Sequence, residues 1–333
     1  MPDLKTDFAG LKLKNPIIIG SSGLTDNKES VQELEENGAA AVVLKSLFEE
    51  EIVREMQSSL SSMSSESSLY PETLEYYENT PPVYESTQKY LDLITDVKKT
   101  VSIPVIASIN CMTSEQWTYF PKRIVDAGAD AIELNIFLLP SDLNRTASET
   151  EKIYLSIIEE VKKQINIPIV VKLSFYFSNL ATFLKEISST GISGMVLFNR
   201  FYNPDIDIDN MVDISSAILS NPSDLYQSLR WIAIMSDRVD CDLAASTGIH
   251  DSKAVIKQLL AGAKAVQVVS SIYKNGSSYI QTMLRELEEW MNTKNFQNIS
   301  DFTGKFSQSK SSNPAAYSRV QFMKYFRQYK PQT

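Results

Sequence analysis

Along this chain the apolar residues gather into eight short, continuous runs, with stretches of helical spacing between them. Four runs follow a glycine: "EENGAAAVVLKS" (35–46), "VDAGADAIELNIF" (125–137), "SSTGISGMVLFNR" (188–200) and "LLAGAKAVQVVSS" (259–271). Glycine closes helices because it adopts left-handed backbone without penalty, so Gly38, Gly128, Gly191 and Gly262 read as helix stops. Three runs open on proline, "NPIIIGSS" (15–22), "IPVIASIN" (103–110) and "IPIVVKLS" (167–174), and the eighth is "CDLAAST" (241–247). Proline is tolerated at a strand's first residue. The runs are continuous rather than alternating, as in parallel strands buried on both faces.

The intervening stretches have one apolar face each. In 148–165, Tyr154, Ile157, Ile158, Val161 and Ile165 share a side, with Ser148 and Glu151 at capping-box spacing. Thr113 and Gln116 repeat that spacing ahead of Trp117 and Phe120, and Asp251 is placed to cap a helix carrying Val255, Ile256, Leu259 and Leu260. Eight strands alternating with helices predict an α/β fold, a (β/α)8 TIM barrel. A doubly wound sheet would need a glycine fingerprint after its first strand, and "GSSGLTDN" is not one. Three stretches break the rhythm. Residues 48–85, after strand two, form a long loop, read as a lid-like insertion. Residues 201–223 extend the loop after strand six, and 295–333 form a C-terminal extension. The expected organisation is a barrel over 1–294 with the extension packed on it.

Composition narrows the function. The 333 residues carry a net charge of −9, which argues against non-specific nucleic-acid binding and against docking on anionic membranes. No run approaches the ~20 apolar residues of a membrane span, and "MPDLKTDFAG" lacks the features of a signal peptide. A cytoplasmic protein is expected. Two cysteines, Cys111 and Cys241, are too few for a disulfide framework or a Cys-based zinc site, and His250 is the one histidine. No metal site is expected.

In such barrels the chemistry sits at the carboxyl ends of the strands. Here the eight ends read Gly20-Ser21-Ser22, Lys45-Ser46, Asn110-Cys111, Asn135, Lys172, Asn199-Arg200, Ser246-Thr247-Gly248 and Ser270-Ser271. Two lysines, an arginine and several amides on one rim point to a polar ligand of anionic character. Leaving such groups buried and unsatisfied would cost ~1–3 kcal/mol each. The loops after strands seven and eight are where barrels often seat a phosphate.

These residues resemble the dihydroorotate dehydrogenases of the cytosolic class 1, and most closely a divergent dihydroorotate dehydrogenase-like branch lacking the catalytic Cys or Ser. The matching pieces are "NPIIIGSSG", "VVLKS", "IELN", "VVKLS", "LFN" and "GIHDSKAVIKQLLAGAKAVQV", in family order from about residue 4 to 290. The resemblance implies bound FMN and a homodimer. Gly20, Ser21 and Ser22 would lie along the flavin, with Lys45 and Ser46 near its ring. Asn135 would contact ribityl and substrate, Lys172 the pyrimidine edge, and Asn199 the substrate. Gly248 and Ser270 would hold the phosphate, and Asn110, Thr247 and Ser271 complete the cofactor set. Lys45, Asn135, Asn199 and Arg200 would bind an anionic substrate.

The departures lie on the substrate side. The family's loop after strand four reads Asn-x-Ser-Cys-Pro-Asn, its cysteine or serine taking the substrate proton. Here it reads Asn135-Ile136-Phe137-Leu138-Leu139-Pro140. Leu138 stands at the base position and cannot accept a proton. Three readings follow: a flavin oxidoreductase of another substrate, with Cys111 or the tyrosines Tyr70, Tyr76 and Tyr77 as replacement acids or bases; an FMN protein without turnover, serving electron transfer or regulation; and a phosphate-sugar aldolase or isomerase using Lys172 as a Schiff base.

Overall fold

The computed structural model describes residues 1–48, 86–111, 120–200, 204–215 and 218–318. Beyond Phe48 the expected lid-like insertion, with Tyr70, Tyr76 and Tyr77, lies outside them, as do the Thr113–Gln116 cap and the side chain of Cys111.

The chain opens with a hairpin, β1 (Thr6–Phe8) and β2 (Leu11–Leu13). The barrel then begins with β3 (Ile17–Ile19) and β4 (Ala41–Val43), and β4 continues as a short β5 (Leu47–Phe48). It proceeds through β6 (Val105–Cys111), β7 (Ala131–Ile136), β8 (Ile169–Leu173) and β9 (Gly194–Leu197). An antiparallel excursion, β10 (Pro204–Asp207) and β11 (Val212–Ser215), interrupts it before β12 (Asp242–Ser246) and β13 (Ala265–Val268). Each barrel strand runs parallel to its neighbours, and β3 pairs with both β4 and β13, so the ring is closed. The eight strands are the eight apolar runs, and the four glycines expected to stop helices all have positive φ. The predicted cap of helix Ala147–Lys162 is displaced: Thr146 and Glu149, two residues earlier, form the box, Glu149 Oε2 accepting from the Thr146 N–H at 2.7 Å. Asp251 caps its helix as expected, accepting from the Ala254 N–H.

Side-chain alternation divides the core into two shells. Outward positions such as Ile17, Val42, Ile132, Val171 and Val266 pack beneath the helices. Inward positions Ile18, Val43, Ile106, Ala131, Val170, Val196, Ala244 and Ala265 fill the barrel axis, and Phe8 and Leu13 of the hairpin close its lower end. Each such large apolar side chain contributes roughly 1.5–3 kcal/mol on burial. One step up five of the strands, the inward residue becomes polar: Ser108, Glu133, Lys172, Ser246 and Gln267, all buried. This change of tier sets the floor of the site.

The described part of the C-terminal segment packs on the barrel's helices. Gly304 and Phe306 donate backbone N–H groups to Leu259 and Leu260, Gln308 donates to Ala233, and Phe302 is fully buried beside Trp290. Among the described residues no helix is long and apolar enough to cross a membrane.

Candidate functional site

Above the polar tier, the carboxyl ends of the strands surround a cavity of about 1150 Å³. Ser21 and Ser22 reach it from the turn after β3, and Lys45 and Ser46 from the gap between β4 and β5. Asn110, Asn135 and Lys172 enter from β6, β7 and β8, whose register sets Asn135 beside both others. Asn199 and Arg200 follow β9, Thr247 and Gly248 follow β12, and Ser270 opens the helix Ser270–Asn275. Gly20 and Ser271 stand behind this lining. A Cβ on Gly20 would meet Val269 Cγ2 at 3.0 Å and Gln267 Oε1 at 3.4 Å, and Ser271 is fully buried.

The polar groups are organised into local networks. Asn199 Nδ2 donates to Asn135 Oδ1 at 2.7 Å, which fixes both amides across the floor. Hydroxyls link Ser21 to Ser46 at 3.0 Å and Ser46 to the buried Ser108 at 2.8 Å. Tyr90 anchors Ser108 from outside the barrel, its OH accepting from the Ser108 N–H and donating to the Ser108 carbonyl. Burial raises the Tyr90 phenol well above its ordinary value. At the opposite rim Ser220 is buried; its N–H donates to Ser270 Oγ, and its hydroxyl lies 3.0 Å from His250 Nε2. Burial, followed by the Lys274 charge, lowers the affinity of His250 for its proton.

Two predicted residues take positions that their strand-end placement did not imply. The Arg200 guanidinium donates to the carbonyls of Ile218 and Leu219, so it ties down the end of the loop after β9 while still lining the cavity. Phe137 continues the inward series Ala131, Glu133, Asn135 and lines the cavity. Leu138 therefore falls on the outward parity. It is 9% exposed, sits in the outer shell of the core, and its N–H donates to Tyr154 OH at 3.1 Å.

Strand-end reading missed Glu133 and Gln267, because both lie inside apolar runs rather than at their ends. Their signal was parity: each stands two residues beyond an inward alanine, Ala131 or Ala265. Among the described lining residues the ionisable side chains are Lys45, Lys172, Arg200 and Tyr273, with no carboxylate or thiol. The described lining is therefore positively charged.

The family model described as dihydroorotate dehydrogenase matches residues 3–291. Similar proteins include the catalytic subunit of dihydroorotate dehydrogenase B (NAD(+)) from Thermoplasma volcanium, 26% identical over 317 residues, covering 91% of this chain and 98% of that protein. The protein of the same name from Thermoplasma acidophilum is 26% identical over 311 residues, covering 91% and 99%. That from Methanothermobacter thermautotrophicus is 23% identical over 317 residues, covering 90% and 97%.

Proposed function

Since the chain belongs to the dihydroorotate dehydrogenase family, we propose that it is an FMN-binding oxidoreductase acting on an anionic substrate, with the usual catalytic base replaced by Leu138. An oxidoreductase role, and the family's link to pyrimidine biosynthesis, follow from membership.

The observation that carries the reading is a buried ammonium at the floor of an amide- and hydroxyl-lined cavity. Lys172 is 7% exposed and lines the cavity with Asn110, Asn135 and Asn199. FMN, when bound, would supply the acceptor for an electron pair. The residues present fit that group. Lys172 offers a fixed cation for charge developing on the pyrimidine edge. The Asn135–Asn199 pair leaves the Asn135 N–H groups and the Asn199 carbonyl for a ligand. Gly20 and Gly248 let the rim pack closely on the chain's own Val269 and Leu225, where a Cβ would collide. Gly248 and Ser270 line the cavity and would hold the phosphate. The same ammonium already donates to Gln267 and is paired with Glu133, which opposes its use as a Schiff-base amine.

On the substrate side, Lys45 is the cation available to an anion among the described residues, since Arg200 holds backbone carbonyls. Loss of a general base costs roughly 10²–10⁴-fold in rate. Dihydroorotate would therefore be a poor substrate, and the chain would belong to the divergent branch. The reading also takes 1–294 as the FMN-binding barrel and 295–333 as its extension, in a cytoplasmic homodimer. The named relatives are catalytic subunits, which supports electron exit through a separate partner.

Purified protein is expected to be yellow with about one FMN per chain, and to bleach only slowly with dihydroorotate under anaerobic conditions. Colourless protein that takes up no added FMN would overturn the cofactor assignment. Rapid bleaching would overturn the claim about Leu138.

A further inference from the structure

Three polar side chains from three strands meet at the cavity floor. Lys172 Nζ donates to Gln267 Oε1 at 2.8 Å and lies 3.6 Å from Glu133 Oε1. Gln267 Nε2 donates to the other carboxylate oxygen, Glu133 Oε2. Lys172 and Gln267 line the cavity, while Glu133 stands behind them, fully buried. The two oxygens of Glu133 have different roles. Oε2 accepts from the amide; Oε1 has no hydrogen-bond partner and faces the ammonium. An ionised carboxylate can only accept, so it makes Gln267 present its NH₂ and thereby turns the amide oxygen towards Lys172. The tier beneath is Val170, Val196, Ala244 and Ala265, which offers no countercharge.

We propose that Glu133 is a positioning residue: paired directly and through Gln267, it holds Lys172 as a cation where negative charge develops on the bound flavin. The inference rests on the flavin reading above. A buried ammonium stripped of its partner is an uncompensated charge and strongly disfavoured. Without Glu133, Lys172 would lose its charge or its place, and the floor would lose its cation in either case.

Sulfite gives a readout that needs no turnover. Its sulfur lone pair forms a bond to the ring nitrogen of oxidised flavin, and the displaced ring electron pair leaves negative charge on the pyrimidine edge. Sulfite dissociation constants are therefore measured on FMN-loaded protein. Lys172→Met is expected to weaken sulfite about tenfold, Glu133→Gln nearly as much, and the double variant no more than Lys172→Met alone. Gln267→Met should shift the constant in the same direction, which keeps the test alive if Glu133→Gln does not fold. Unchanged affinity in Glu133→Gln, or additive losses in the double variant, would overturn the inference. A flavin-free arm separates this from the cofactor assignment. With acetic anhydride, Lys172 of the FMN-free protein should be acylated several-fold faster relative to Lys45 once Glu133 is Gln, because the unprotonated amine is the nucleophile. Equal acylation overturns the pairing even if the chain binds no FMN.

Discussion

Installing the family's missing groups, Leu138→Cys together with Pro140→Asn, is expected to fail as a repair. The side chain at 138 sits in the outer shell of the core at 9% exposure, and the backbone there is held by Tyr154 OH. Leucine-to-alanine changes in cores cost roughly 2–5 kcal/mol; a thiol fills part of the space, so about 2 kcal/mol is expected. The thiol would also be buried among apolar atoms, which disfavours its thiolate and so its use as a base. A working base would accelerate the reaction by roughly 10²–10⁴-fold. The predicted gain is less than about threefold, because the new group does not line the cavity. Two measurements check this: anaerobic flavin reduction by dihydroorotate in a stopped-flow instrument, and urea unfolding of parent and variant. A gain of a hundredfold or more, or an unchanged unfolding midpoint, would refute the placement of residue 138.

Gly248→Ala should lower stability by at least about 2 kcal/mol in urea unfolding and weaken binding of inorganic phosphate. Gly248 has φ +78°, and a Cβ there would meet the backbone nitrogen of Leu225 at 2.1 Å, a contact that only backbone movement relieves; a loss below 0.5 kcal/mol, on the order of an ordinary surface change, would contradict this. The single histidine gives a pH dependence. Burial holds the His250 imidazole below its ordinary 6.5, so the unfolded chain takes up this proton first on acidification. Its share of stability is present above about pH 6.5 and is lost as pH falls from there through the lower folded value. The urea midpoint of the parent should therefore drop more between about pH 7.5 and about pH 5.5 than that of His250→Gln, and equal drops would refute the assignment.

The barrel was legible because its determinants are local. Each strand is a run of apolar residues buried on both faces, and each glycine stop has the positive φ that only local chemistry demands. The strand ends were legible for the same reason: most residues at which apolar character stops line the cavity, Gly20 and Ser271 standing just behind it. Long-range commitments were not. Arg200 reads as a ligand-binding cation until Ile218 and Leu219, 18 and 19 residues later in the chain, claim its guanidinium. The displaced cap of helix Ala147–Lys162 shows the limit of motif spacing, since Thr146–Glu149 and Ser148–Glu151 are both admissible and only the entry path of the chain selects the first. Residue 138 was read by its position in a motif, and its side-chain direction was not read: counting alternate residues from Ala131 puts Phe137 inward and Leu138 outward.

Glu133 and Gln267 carry the argument further, because their placement opposes what stability alone would choose. A barrel axis filled to the top with aliphatic side chains needs no desolvation of charge. Apolar replacement of a buried ion pair is often neutral or stabilising by ~1–4 kcal/mol. Here the axis is aliphatic through Ile18, Val170, Val196 and Ala265, and then carries a carboxylate at 0% and an ammonium at 7% exposure. The ammonium is on the cavity side and the carboxylate on the core side. A pair serving only the fold would have no reason for that polarity. Facing the cation upward, beneath Asn135 and Asn199, presents charge to the cavity while the compensating anion stays out of a ligand's reach. The same asymmetry explains a lining without a described carboxylate: the negative partner is in the wall behind it. The substrate side lacks a comparable device among the described residues. That contrast supports the proposal of an FMN cradle joined to altered substrate chemistry.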